Sequence, residues 1–121
     1  MKVILDSSFI ISCVKRNIDF IDELEGKGFE ILLAKEVLQE LKDLRLKVTH
    51  DERMAIDIAE QLFAKRKLKR ISLGKDKVDT GLIHKGKSGY YIATLDAAIK
   101  RDVPDKVTIS NSKNGIQIER T

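Results

Sequence analysis

The sequence predicts an α/β fold, a three-layer α/β/α sandwich with a mostly parallel central sheet. Two features of the 121-residue chain predict this class. Short apolar runs typical of buried strands alternate with segments in which apolar residues recur at the helical period. No internal repeat, low-complexity tract or linker interrupts this alternation. Helices are therefore expected on both faces of one sheet.

The N-terminal part of the chain predicts two strands and two short helices. Lys2–Leu5 is an apolar run, and the polar side chains from Asp6 onward can cap a short helix over Phe9–Val14. Apolar residues from Ile18 to Leu24 predict a second short helix, which the glycines after it end. Phe29–Ala34 predicts the next buried strand.

The central part predicts two longer helices. The first begins at Lys35 and carries an apolar stripe over Val37–Leu44. Thr49 and Glu52 fit a capping box that opens the second helix, and the basic stretch Lys65–Arg70 ends it. The side chains of this helix expected to face inward are Ile58, Ala59, Leu62 and Phe63.

The C-terminal part predicts the remaining elements. Ile71–Leu73 forms a short strand, Val78–Lys85 forms a helix, and Gly86 and Gly89 bracket the next turn. The elements expected after this turn are a strand over Tyr90–Thr94, a helix over Leu95–Arg101, and terminal strands over Val107–Ser110 and Ile116–Ile118, joined by a turn at Asn114-Gly115.

Composition narrows the classes of function. The chain has 23 Lys and Arg against 19 Asp and Glu, and its net charge of +4 is compatible with a polyanionic partner. No apolar run reaches the length of a membrane span, a signal peptide is not expected, and the single Cys13 cannot form an internal disulfide. With so few Cys and His residues, a structural zinc site is close to excluded. We expect one domain over residues 1–121, located in the cytoplasm.

Acidic side chains follow two predicted strands at the point where each strand ends. Asp6 comes directly after the first strand, and Asp96 lies two residues past Tyr90–Thr94. Ligands of open α/β sheets bind beyond the carboxyl ends of the strands, so these carboxylates converge if the two strands are neighbours. Asp6 also suits a helix N-cap, and Asp96 suits a first-turn acid. Position alone leaves both roles open.

Two further acids are candidates. Glu40 lies on the border of the apolar stripe, where a carboxylate is partly desolvated, although a solvated helix acid paired with a lysine is the simpler interpretation. Asp79 follows a break and precedes a short apolar helix, so it also suits an N-cap. Asp76 is a nearby competitor for the same role.

The order and spacing of these acids, taken with their predicted elements, resemble the PIN domain family. The matching segments are Asp6-Ser7-Ser8, Glu40 within Val37–Leu41, Asp79, and Thr94-Leu95-Asp96. The resemblance covers nearly the whole chain, and no single motif in it is specific. It departs from the family pattern after the third acid, where a further acid often follows and this chain has Thr80.

The resemblance implies a PIN-like, Rossmann-related nuclease domain that uses Mg²⁺ or Mn²⁺ to cleave single-stranded or structured RNA. Such cations prefer carboxylate and water oxygens. The metal-binding and catalytic residues that it implies are Asp6, Glu40, Asp79 and Asp96. It also implies that Ser8 and Thr94 are supporting hydroxyls close to the metal.

Basic residues are expected to hold the RNA. Lys100 and Arg101 lie about one helical turn beyond Asp96, so one of them can reach a substrate phosphate. Lys65–Arg70 is the densest basic cluster, but a solvated helix end that complements the helix dipole explains it as well.

Three roles agree with the resemblance. The first is a VapC-type toxin, whose expected partners are a small antitoxin and a second copy of the chain in a homodimer. The alternatives are a housekeeping nuclease of ribosomal RNA processing and a non-catalytic PIN-like RNA-binding module. A receiver domain, a P-loop enzyme and a haloacid-dehalogenase-type phosphatase are disfavoured, because the sequence has no acceptor Asp in Ile71–Gly74, no GxxxxGK[ST] and no Asp-x-Asp after the first strand.

Overall fold

Strands and helices alternate along almost the whole chain in the computed structural model, which describes residues 1–121. The elements in chain order are β1 (Lys2–Leu5), α1 (Ser7–Lys15), α2 (Phe20–Gly26), β2 (Glu30–Ala34), α3 (Lys35–Leu44), α4 (His50–Lys65), β3 (Lys69–Ile71), α5 (Val78–Lys87), β4 (Tyr91–Ala93), α6 (Ala97–Asp102), β5 (Lys106–Ser110) and β6 (Gly115–Glu119). None of the helices is both long enough and apolar enough to span a lipid bilayer.

All strands belong to one sheet of order β3-β2-β1-β4-β5-β6. The pairings from β3 to β5 are parallel, and only the terminal β5–β6 pair is antiparallel. Val3 of β1 lies between Ile31 of β2 and Tyr91 of β4. The chain moves outward from β1 to β3 and then returns to β4 on the other side of β1. The gap between β1 and β4 is therefore the topological switch point, where ligands bind in such sheets.

The helices cover both faces of this sheet. α1 packs against α3 and α4, whereas α5 packs against β4 and α6. Right-handed crossovers place the helices before β3 on one face and those after it on the other. β1 is covered on both sides, since Val3, Ile4 and Leu5 are all fully buried. The predicted three-layer α/β/α class with a mostly parallel sheet is confirmed.

The predicted inner face of α4 was wrong at Ile58. This side chain is 45% exposed, whereas Ala59 and Phe63 are buried as expected. The helix buries Ala55 and Ile56 instead, because these residues share the 3.6-residue stripe of Ala59 and Phe63. An apolar residue type alone does not place a side chain on the inner face.

Two other local predictions also need correction. β3 spans Lys69–Ile71, two residues earlier than expected, because it pairs in parallel with Leu32–Ala34 of β2 at the edge of the sheet. Gly86 lies inside α5 rather than at a turn, and a Cβ there would lie 2.6 Å from Cγ1 of Val103. This glycine therefore allows a close helix contact, while Gly89, with φ +107°, does form the turn.

Candidate active site

The carboxyl ends of β1 and β4 bring the two strand-end acids to one edge of the sheet. Asp6 follows β1 and is the N-cap of α1, and Asp96 follows β4 and is the N-cap of α6. Because β1 and β4 are neighbours, Thr94 lies opposite Asp6, and its Oγ1 donates to Asp6 Oδ2 at 2.7 Å. The two acids therefore follow neighbouring strands at the same edge of the sheet and are linked through Thr94.

Asp6 is the most enclosed acid of the site, with 4% of its surface exposed. Its Oδ1 accepts from the Ser7 backbone N–H at 2.8 Å, and its Oδ2 accepts from Ser8 Oγ at 3.2 Å as well as from Thr94. Burial raises the pKa of Asp6, the three hydrogen bonds lower it, and the charge of Asp79 raises it further. Burial outweighs the hydrogen bonds, so the pKa of Asp6 lies above its ordinary value.

The two predicted hydroxyls connect Asp6 to the segment that carries Asp96. Ser8 Oγ accepts from the Leu95 backbone N–H at 3.1 Å, and Thr94 Oγ1 accepts from the Asp96 backbone N–H at 3.1 Å. Asp96 uses only Oδ1 as the helix cap, accepting from two backbone N–H groups of α6. Its Oδ2 forms no hydrogen bond and is therefore available to a ligand.

Glu40 joins this site from α3. It is half-buried beside the fully buried Leu41, as its place on the border of the apolar stripe predicts. Ser7 Oγ donates a hydrogen bond to Glu40 Oε1 and so links the carboxylate to α1. Burial raises the pKa of Glu40, the Ser7 hydrogen bond lowers it, and the charges of Asp6 and Asp79 raise it.

Of the two competing acids near α5, Asp79 is the one whose charge raises the pKa of the other carboxylates. Asp79 is exposed in the first turn of α5, and its charge acts on both Asp6 and Glu40. Its expected role as an N-cap was wrong, since Lys77 occupies that position. Asp76 instead pairs with His84 Nδ1 at 3.0 Å.

The four carboxylates are the kind of ligand that a hard divalent cation prefers, but they do not form a closed cluster of ligands. No group of three or more His, Cys, Asp and Glu side chains lies close enough together to hold a metal ion. All four acids nevertheless offer the oxygen ligands that Mg²⁺ and Mn²⁺ prefer. Mutual repulsion contributes to the raised pKa of Asp6 and Glu40, and a bound cation would relieve it. The site is an open carboxylate site.

Two residues that position this site were missed by the sequence analysis. Ser7 bridges Asp6 and Glu40, since its backbone N–H donates to Asp6 and its hydroxyl donates to Glu40. Glu36 Oε1 accepts from the Leu73 backbone N–H at 3.0 Å and so holds the segment that leads to α5. The two consecutive serines after Asp6 could have indicated the role of Ser7, whereas no local sequence pattern indicated the role of Glu36.

The basic residues separate into free and paired side chains. Lys100 and Arg101 lie on α6 beyond Asp96, and neither forms an ion pair. In the basic stretch, Arg66 pairs with Asp22 at 2.9 Å and with Glu25 at 2.7 Å. Arg66 therefore connects α4 to α2, and its charge is largely neutralised within the protein.

Known structures share this fold, although no protein-family model and no curated protein matches the sequence. The PIN domain endonuclease Utp24 superposes with a TM-score of 0.73 at 23% identity, over 99% of this chain and 92% of that chain. A chain of VapBC2 from Rickettsia felis, solved bound to a DNA fragment from their promoter, gives a TM-score of 0.52 at 16% identity, over 84% of this chain and 93% of that chain. The protein therefore has the fold of a PIN domain.

Proposed function

We propose that this protein is a metal-dependent endoribonuclease that cleaves single-stranded or structured RNA at the carboxylate site. The observation that best supports the proposal is Asp6, a buried carboxylate held by three donors at the switch point of a PIN fold. Burying a carboxylate with a raised pKa beside other acids costs stability, and a bound cation would offset that cost.

The residues have distinct parts in this proposal. Asp6 and Asp96 would be the principal ligands of Mg²⁺ or Mn²⁺, and Glu40 and Asp79 would complete the site directly or through water. The metal would lower the pKa of a bound water and stabilise the leaving oxygen. The Ser8 and Thr94 hydroxyls hold Asp6 in place, and Lys100 and Arg101 would bind a substrate phosphate. Because these cations lie on α6, they approach the site from the Asp96 side.

A metal titration tests the reaction. A single-stranded RNA labelled at one end should be cut in Mg²⁺ or Mn²⁺ and remain intact in chelator, and the products should have a 5′-phosphate and a 3′-hydroxyl. Equal cleavage in chelator would contradict a metal-dependent mechanism. Binding of the RNA without cleavage in either metal would instead identify a non-catalytic RNA-binding module.

The third acid can be identified by one pair of variants. We expect Asp79→Asn to lower the cleavage rate more than about 10-fold, because it removes a charge that acts on both Asp6 and Glu40. Asp76→Asn should stay within about two-fold of the wild-type rate, because Asp76 pairs with His84. Initial rates in Mn²⁺ measure both effects. The opposite ranking would assign the role to Asp76.

For the cellular role, we propose a VapC-type toxin acting in the cytoplasm with a small antitoxin and a second copy of the chain as partners. A housekeeping nuclease of ribosomal RNA processing is the second candidate, favoured by the more complete superposition on the endonuclease than on the chain of the toxin–antitoxin complex. Induced expression in a bacterial host should arrest growth if the toxin role holds, and an adjacent antitoxin-like reading frame should relieve the arrest. Unchanged growth would favour the processing role.

A further inference from the structure

A groove on the outer side of α1 begins at the candidate active site. It has a volume of about 450 Å³, and its lining residues are Ser8, Ile11, Ser12, Lys15, Arg16 and Glu52. Ser8 hydrogen-bonds both Asp6 and the backbone after β4, so the groove opens beside the carboxylates. Its other end reaches the C-terminus of α1, where both cations lie.

We propose that this groove binds the sugar-phosphate backbone of an RNA strand whose scissile bond lies at the carboxylate site, with Lys15 and Arg16 binding a phosphate at its far end. This inference rests on the proposed function and adds a segment of the RNA substrate that the protein contacts outside the carboxylate site. It places the strand on α1, on the side of Asp6 away from α6 and its Lys100.

The spacing of the lining residues supports a phosphate track. Ser8, Ser12 and Arg16 follow one another at four-residue intervals, so they form a row along one side of α1, with neighbouring Cβ atoms roughly 5–6 Å apart. The Ser12 hydroxyl and the Arg16 guanidinium can donate to phosphate oxygens, and such contacts dominate nucleic-acid backbone recognition. Ser8 donates its one proton to Asp6 and marks the end of the row at the carboxylates. Ile11 adds an apolar surface on which a ribose or a base can rest.

Arg16 is fixed in place without losing its charge. Its Nη2 donates to Asn111 Oδ1 at 2.9 Å, and its backbone carbonyl accepts from Asn114 Nδ2 at 3.1 Å. Both anchors are neutral amides, whereas Arg45 and Arg66 are paired with carboxylates. The Arg16 guanidinium is therefore positioned and still available to an anion.

Glu52 is the one acid in the groove and lies in the first turn of α4. It forms no ion pair with Lys15 or Arg16, so it does not neutralise either cation. A carboxylate at this position repels a phosphate that approaches from solvent. Removing its charge should strengthen RNA binding, which is the opposite of the effect expected for the cations.

The test is equilibrium binding of a fluorescent single-stranded RNA to the full chain over a series of salt concentrations, in chelator so that no cleavage occurs. The double variant Lys15→Gln/Arg16→Gln should reduce the slope of log K against log salt by about 0.7, since the two cations bind one phosphate and each neutralised phosphate contributes roughly 0.7 on single strands. Glu52→Gln should raise the affinity. The matched control, Lys65→Gln/Lys67→Gln, removes the same charge from exposed side chains and should leave the slope unchanged.

The proposal that the groove binds RNA would be overturned if the two double variants had equal salt slopes. It would also be overturned if Glu52→Gln did not raise the affinity for RNA. Failure of the wild-type chain to bind the RNA would overturn it as well. Cleavage assays in Mn²⁺ separate this proposal from the proposed function. If the wild-type protein cleaves RNA but Lys15→Gln/Arg16→Gln leaves the salt slope unaltered, only the RNA-binding role of the groove is refuted. If the double variant has the reduced salt slope but the wild-type protein does not cleave RNA, the nuclease activity is refuted and the RNA-binding role of the groove is retained.

Discussion

Replacing Asp6 by Asn is expected to reduce metal-dependent RNA cleavage more than about 100-fold while the protein stays folded, and Asp96→Asn should do the same. Loss of a residue that only supports a metal ligand typically costs 10–100-fold, so loss of a principal ligand should cost more. Asn keeps an acceptor oxygen for each helix cap, and Asn and Asp cap about equally well. In Asp96→Asn the charge is therefore the main property removed, whereas Asp6→Asn also replaces the oxygen that accepts from Ser8 and Thr94 by an amide nitrogen. Initial rates in saturating Mn²⁺ measure the effect.

Asp19→Asn is the matched control for these variants. Asp19 is also an aspartate N-cap, accepting from the Asp22 backbone N–H at the start of α2, but it does not contact the carboxylate site. Its substitution should leave cleavage unchanged. Melting temperatures of all three variants report folding. A wild-type rate in Asp6→Asn would show that Asp6 serves only as a helix cap, and the proposed function would lose its central residue.

The strand-end acids were predictable because their positions depend on local chain geometry. An apolar run as short as Lys2–Leu5 has little freedom in where it ends, so the next side chain, Asp6, must lie at the carboxyl edge of the sheet. The same argument applies to Asp96 after β4. That β1 and β4 are adjacent did not follow from the sequence, because strand order depends on crossovers that local patterns do not encode.

The polar contacts between elements could not be predicted in the same way. Helical periodicity tells which side of α3 is apolar, but not which segment approaches its polar side. For this reason neither the contact of Glu36 with Leu73 nor the Ser7–Glu40 hydrogen bond could be predicted. Arg16 and its partner Asn111 are a third case, since they meet only after β5 and α1 have packed together.

Thr94→Val is expected to lower the free energy of unfolding by about 2–3 kcal/mol. The Thr94 hydroxyl is fully buried, donates to Asp6 Oδ2 at 2.7 Å and accepts from the Asp96 backbone N–H at 3.1 Å. Valine has the same shape but neither hydrogen bond, and a hydrogen bond to a charged group contributes about 1.5–3 kcal/mol. Cleavage should fall as well, because the hydroxyl orients both strand-end acids. Urea unfolding and initial rates measure the two effects.

The loss in Thr94→Val should depend on pH with a definite sign. Burial already raises the pKa of Asp6 above its ordinary value of 3.8, and removal of the Thr94 donor should raise it further. A carboxyl with a raised pKa binds its proton more tightly in the folded state, so stability falls as the pH rises from the ordinary pKa to the folded-state pKa and stays lower above it. The destabilisation should therefore be larger at neutral pH than at acidic pH, because protonation of Asp6 removes the charge that the Thr94 donor stabilises.

Thr108→Val provides the comparison that separates this effect from ordinary loss of a buried hydroxyl. Thr108 is also buried, at 5% exposure, and its Oγ1 donates to Glu119 Oε2 at 3.1 Å on the β5–β6 hairpin, away from the carboxylate site. Because Glu119 is exposed, water can replace the lost donor, so the expected cost is about 1 kcal/mol and cleavage should be unaffected. If Thr94→Val and Thr108→Val lost the same stability at both pH values, Thr94 would be an ordinary strand residue. The hydrogen bond would then contribute nothing to holding the Asp6 charge at the edge of the sheet.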